Sequence, residues 1–118
     1  MSRAPILRAI ASAVVLGGCQ SLAGPAPAVL ASNDPAAIER LKAALADAMG
    51  LAKVELGPGD PTQSSTVSVL PRPPGPLEDR SLALPTLFRL EIDGGQCFVV
   101  RADGGVRKRI EGVGCRPA

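Results

Sequence analysis

The sequence predicts a small α+β domain, with one N-terminal helix packed on a four- to five-stranded, mainly antiparallel sheet. Three observations predict it. An apolar period of three and four residues runs from Ile38 to Ala48, and runs of alternating polarity follow. The last third then carries two glycine turns between strand-like segments. A chain of 118 residues suits one such domain.

The helix is justified first. Asn33 or Asp34 can cap it, Pro35 suits its first turn, and Gly50 is a natural stop after Met49. Ile38, Leu41, Leu45 and Ala48 form one apolar face, while Glu39, Arg40, Lys42 and Asp47 fall largely on the other.

Beyond Gly50 the period changes. "LAKVELG", residues 51–57, alternates apolar residues with Lys53 and Glu55 and reads as a strand ending at "GPGDP". "STVSVLP" offers a second, with Val67 and Val69 on one face. Residues 71–85, "PRPPGPLEDRSLALP", hold five prolines and read as a long connection, because proline cannot donate to a sheet interior. Such a run is a stiff exposed loop or a polyproline ligand for an aromatic groove.

The strongest strand signal is C-terminal. "TLFRLEID", "QCFVVRA" and "VRKRIEG" are separated by "GG" and "DGG". Two-residue loops at Gly94-Gly95 and Asp103-Gly104 set Ile92 opposite Cys97, Leu90 opposite Val99 and Cys97 opposite Ile110. Phe88, Leu90, Ile92, Cys97, Val99, Val106 and Ile110 then share the face that seats the helix. The other face shows Arg89, Arg107 and Arg109 around Glu91, Phe98 and Val100. It reads either as a partner surface of Arg89, Phe98, Arg107 and Arg109 or as a solvated face whose arginine stems cover Phe98.

Composition removes several classes of function. There is no His, Trp or Tyr and there are two Phe, so a His-based triad, a His-ligated zinc site and a haem axial His are excluded. Base stacking on aromatic side chains has almost nothing to use, and no nucleic-acid partner is expected. The formal charge is +2, but Arg3 and Arg8 belong to the leader; the remainder is balanced, eleven basic against eleven acidic residues.

The leader reads "MSRAPILRAIASAVVLGGC". Two arginines and no acid precede an apolar stretch, Ala9 to Leu16, that is too short to span a bilayer. This is the layout of a secretory signal peptide. Leu16-Gly17-Gly18-Cys19 resembles the lipobox of bacterial lipoproteins, with Leu three positions before the cysteine and small residues between. The resemblance covers the leader alone, and no family is recognised for the mature domain. It implies cleavage before Cys19 and lipidation of Cys19, with diacylglyceryl on the sulfur and, in many bacteria, an acyl chain on the new amino group. Two or three chains on one residue give stable attachment, whereas one holds a protein only marginally. In such lipoproteins an Asp after the cysteine favours the inner membrane; Gln20 here implies the outer membrane, facing the periplasm. Ordinary secretion with cleavage after Ala23 is the alternative.

The expected organisation is therefore a signal peptide over 1–18, the acylated cysteine and an Ala/Pro-rich tether over 19–32, and the domain over 33–118; the alternative for the tether is that Val29 and Leu30 dock on the domain. With Cys19 acylated, Cys97 and Cys115 remain as an even pair in an oxidising compartment, and a disulfide between them is expected. It would close a loop of about nineteen residues and contribute about 3 kcal/mol in the chain-entropy model. Two free thiols in a cytosolic protein are the competing reading. Without His, the pair is a poor metal site.

Chemistry is otherwise sparse. Ser64 and Ser65 have no His to activate them, and the "GVG" near the end has no helix after it to form a phosphate loop. Glu78 and Asp79 are adjacent and lack calcium-ligand spacing, while Asp60 and Asp103 sit at turns for backbone reasons. No catalysis, cofactor, metal or small-molecule substrate is expected. The expected function is that of a non-catalytic interaction module, held to the membrane by lipid and binding an envelope protein. The alternative is a small disulfide-bonded inhibitor of an envelope or foreign hydrolase, with residues 71–85 as its inserting loop.

Overall fold

The computed structural model describes residues 24–73, 76–77 and 83–118. The leader, Cys19 and the Glu78–Asp79 pair lie outside the described residues. The chain runs β1 (Ala26–Leu30), α1 (Pro35–Met49), β2 (Thr66–Val69), β3 (Thr86–Asp93), β4 (Gln96–Arg101), β5 (Arg107–Arg109) and β6 (Cys115–Pro117). This is the expected α+β arrangement of one helix on a mainly antiparallel sheet. The sheet has six strands rather than four or five.

Helix α1 forms where the periodicity placed it. Of the two candidate caps, Asp34 acts: the Ala37 N–H donates to its carboxylate at 2.9 Å. Pro35 follows in the first turn, and Gly50 ends the helix in the left-handed region, its N–H turned back to the last carbonyls. Leu41 and Leu45 are fully buried, with Ile38 and Ala48 packed at the margin of the same cluster.

The C-terminal strands keep the predicted register. Ile92 opposes Cys97 and Leu90 opposes Val99, through a two-residue turn in which Gly94 and Gly95 both take positive φ, 60° and 79°. A turn of that hand matches strand twist, and only glycine enters it twice without steric cost. The β4–β5 connection differs from the expected two residues. The Arg101 N–H donates to the Val106 carbonyl (2.8 Å), which leaves four residues in the loop. An even number preserves parity, so Cys97 still stands opposite Ile110, whose N–H donates to the Cys97 carbonyl (2.8 Å). Phe88, Leu90, Cys97, Val99 and Ile110 are buried against α1; Ile92 and Val106, at the margins, are partly exposed.

Two expectations are corrected. Residues 26–30, placed in a tether, form β1, and Ala28, Val29 and Leu30 are buried. Their apolar side chains stabilise more by docking than a free tether would, and Pro27 is tolerated because its carbonyl still accepts from the Ala118 N–H (2.9 Å). Residues 51–57 do not form a strand. They are held to β2 by one bridge, Leu56 to Val69, with the Gly57 N–H on the Ser68 carbonyl and the Leu70 N–H on the Glu55 carbonyl, both at 2.9 Å. The partner strand is four residues long, and Pro71 stops the ladder from growing.

Strand order is β5-β4-β3-β1-β6, with β2 also on β3. The second edge of β3 is thus shared: β2 pairs along Thr86–Arg89, and β1 pairs at Glu91 and Ile92. From Ala28 onward β1 leaves β3 and pairs with β6, Leu30 opposite Cys115. Cys115 is bonded to Cys97, so the expected disulfide is present. Among the described residues of 71–85 there is no helix or strand.

Candidate functional site

The residues singled out from the sequence fall together. Pairing sets Arg89 beside Val100 and Val100 beside Arg107, while Glu91 lies beside Phe98 and Phe98 beside Arg109. Strand alternation aims all of these away from α1. Arg89, Phe98, Arg107 and Arg109 therefore share the outer face of the sheet.

Their contacts decide what that face is. The Arg107 guanidinium carbon stands 3.7 Å from the centroid of the Phe98 ring, and an Arg107 nitrogen reaches Asp93 at 3.1 Å. Arg89 pairs with Glu91 at 3.3 Å. Stacking of this kind is worth roughly 0.5–1 kcal/mol at an exposed site, and such exposed ion pairs no more than about 1 kcal/mol. The Arg107 side chain covers Phe98, as the bland reading of this face expected, and Val100 beneath is buried at 8% exposure. Two of the three arginines are answered by carboxylates. Arg109 alone of them has no acidic partner among the described residues.

The face is thus an amphipathic platform with one open cation, not a uniformly basic row. It can meet a flat protein surface that offers a carboxylate opposite Arg109 and an apolar group beside Phe98. Asp93 was not foreseen as a member of the site. Its signal was present, since it shares parity with Arg89 and Glu91 on the same strand.

Among the described residues, the two carboxyls held below their usual range are local turn and cap groups. Asp34 is lowered first by the Ala37 N–H and then by the Ser32 hydroxyl; Asp60 is lowered first by the Thr62 hydroxyl and then by its N–H. Asp103 accepts from the Gly105 N–H at 2.8 Å, which also fits its reading as a turn residue. Among the described residues no three His, Cys, Asp or Glu side chains come together as a metal site, and no helix is long and apolar enough to cross a membrane.

On the proline-rich connection, Leu77 and Leu84 stand in solvent at 99% and 82% exposure. No protein-family model matches the chain, and neither a curated protein nor a solved structure shows significant similarity to it.

Proposed function

We propose that the chain is a lipid-anchored, periplasm-facing protein of the bacterial outer membrane that acts without catalysis, as an interaction module for another envelope protein. The anchor is Cys19, acylated after cleavage of residues 1–18. The observation that carries the binding role is the outer face, where Arg107 lies over Phe98 and Arg109 beside it has no carboxylate partner among the described residues. Rigid aromatic and arginine groups of this kind anchor protein interfaces.

The test is a pull-down from detergent-extracted membranes with wild type, Phe98→Asp and Arg109→Glu. A structural envelope protein retained by wild type and lost from both variants supports the reading; equal retention by all three contradicts it.

A second reading is favoured by the exposed Leu77 and Leu84 on a proline-rich connection in a disulfide-bonded domain. These features suit an inhibitor that inserts a stiff loop into a hydrolase. An active hydrolase as the main captured partner, released by Leu77→Asp or Leu84→Asp, would replace the first reading with this one.

A further inference from the structure

We propose that the open edge of β5 takes an acidic, extended segment of a partner protein as an added strand, seated in the cleft between β5 and α1. This edge adjoins the outer face and shares Arg107 and Arg109 with it, but it binds through the backbone of β5 rather than through Phe98, and it does not need the lipid anchor.

Among the described residues, β5 is the last strand on its side of the sheet and its outer edge is open. The Ile110 N–H donates to the Cys97 carbonyl and the Arg101 N–H to the Val106 carbonyl, so these are bonded pairs of the β4–β5 ladder. Alternation makes Val99 and Lys108 the bonded pair between them, and turns the N–H and carbonyl of Arg107 and Arg109 outward. Among the described residues no backbone group meets them. An edge of this kind binds an extended peptide through main-chain hydrogen bonds, with specificity set by alternate side chains.

The edge also borders a receptacle. β5 and α1 line a cleft of about 640 Å³ whose floor includes Ala43, Ala44, Leu51 and Ala52. Small side chains there leave room for every second residue of an added strand, and Leu51 is half exposed at 50%.

Charge selects the occupant. The cleft lining carries four cations, Arg40, Arg107, Lys108 and Arg109, against two carboxylates, Asp47 and Glu111. Lys108 is engaged by Asp47 at 2.8 Å and Arg107 by Asp93, while Arg40 and Arg109 have no carboxylate partner among the described residues. Arg40 lies against Gly112, where a side chain carbon would fall 2.6 Å from its guanidinium, so glycine leaves the space this cation occupies. A second copy of this chain would set Arg-Lys-Arg against itself, and like charges directly opposite are destabilising. A segment alternating acidic and small apolar residues meets both the cations and the floor.

The experiment uses the full chain in detergent micelles. It is titrated with a peptide of about six residues alternating Glu and Val, and with a Lys/Val twin of equal length. The Glu peptide should bind saturably, protect the Arg107 and Arg109 amides from exchange, and weaken as salt rises. Arg109→Pro deletes one outward donor and leaves the Ile110 and Arg101 bonds intact; it should weaken binding about tenfold. In Arg40→Glu/Arg109→Glu the preference should pass to the Lys peptide, a gain that misfolding cannot imitate. No binding of either peptide, or equal binding of both, overturns the proposal. Binding that moves the Phe98 ring signals and leaves the Arg107 and Arg109 amides unprotected also overturns it, while leaving the outer-face reading standing.

Discussion

Cys97 of β4 and Cys115 of β6 are joined by a disulfide with their Cα atoms 6.0 Å apart, although β3 and β1 stand between those strands in the order of the sheet. The sheet must curl for this contact to exist. β1 is where it turns, because it leaves β3 after Pro27 and carries β6 back across the core side. The bridge fastens an end of the chain that few hydrogen bonds hold.

Loss of the bridge should therefore be costly and local. Cys97→Ser/Cys115→Ser, or wild type under reductant, is expected to lose about 3 kcal/mol in urea unfolding at this loop length. Exchange protection should fall first at β1 and β6, while the β3–β4 hairpin keeps its own. Uniform loss over all strands would contradict this assignment.

Strand β1 supplies a second prediction. Leu30 is fully buried in the main cluster, so Leu30→Ala should cost about 2–5 kcal/mol. Leu84, at 82% exposure, provides the control: Leu84→Ala should change stability by no more than about 0.5 kcal/mol. If Leu30→Ala matched that control in thermal or urea unfolding, residues 26–30 would belong to the tether after all.

The difference between Leu30 and the hairpin residues explains what was legible. Leu90, Val99, Cys97 and Ile110 could be placed because two even-length glycine loops propagate one parity through three strands. Pro27 and Ala28 could not, because their composition is that of a linker and their pairing depends on a three-residue strand, Cys115–Pro117, at the far end of the chain. Residues 51–57 showed the opposite error. Their alternation is real, and Val54 is buried, but β2 is too short to pair with more than the end of the segment. On the outer face, Arg89, Phe98, Arg107 and Arg109 were all placed correctly. The pairing of Arg107 with Asp93 was not, because it runs diagonally from β5 to β3 across β4.

Acid stability forms a third prediction. Asp34 and Asp60 both lie below the usual aspartate value of 3.8, so their stabilising effect is present above the unfolded value and lost as pH falls through the lowered folded values. With no histidine to titrate, stability should be level from about pH 5 to 8 and decline only below about pH 4. Asp34→Asn keeps a capping acceptor without the titration, and should flatten part of that decline in urea unfolding measured at stepped pH. An unchanged slope in both Asp34→Asn and Asp60→Asn would assign acid sensitivity to other groups.

The most direct test of the central claim is incorporation of labelled palmitate by bacteria expressing wild type or Cys19→Ser, followed by membrane fractionation. Wild type should carry the label and sediment with the outer membrane, and Cys19→Ser should carry none and leave that fraction. Equal labelling and equal membrane association of the two proteins would contradict the lipid-anchored reading.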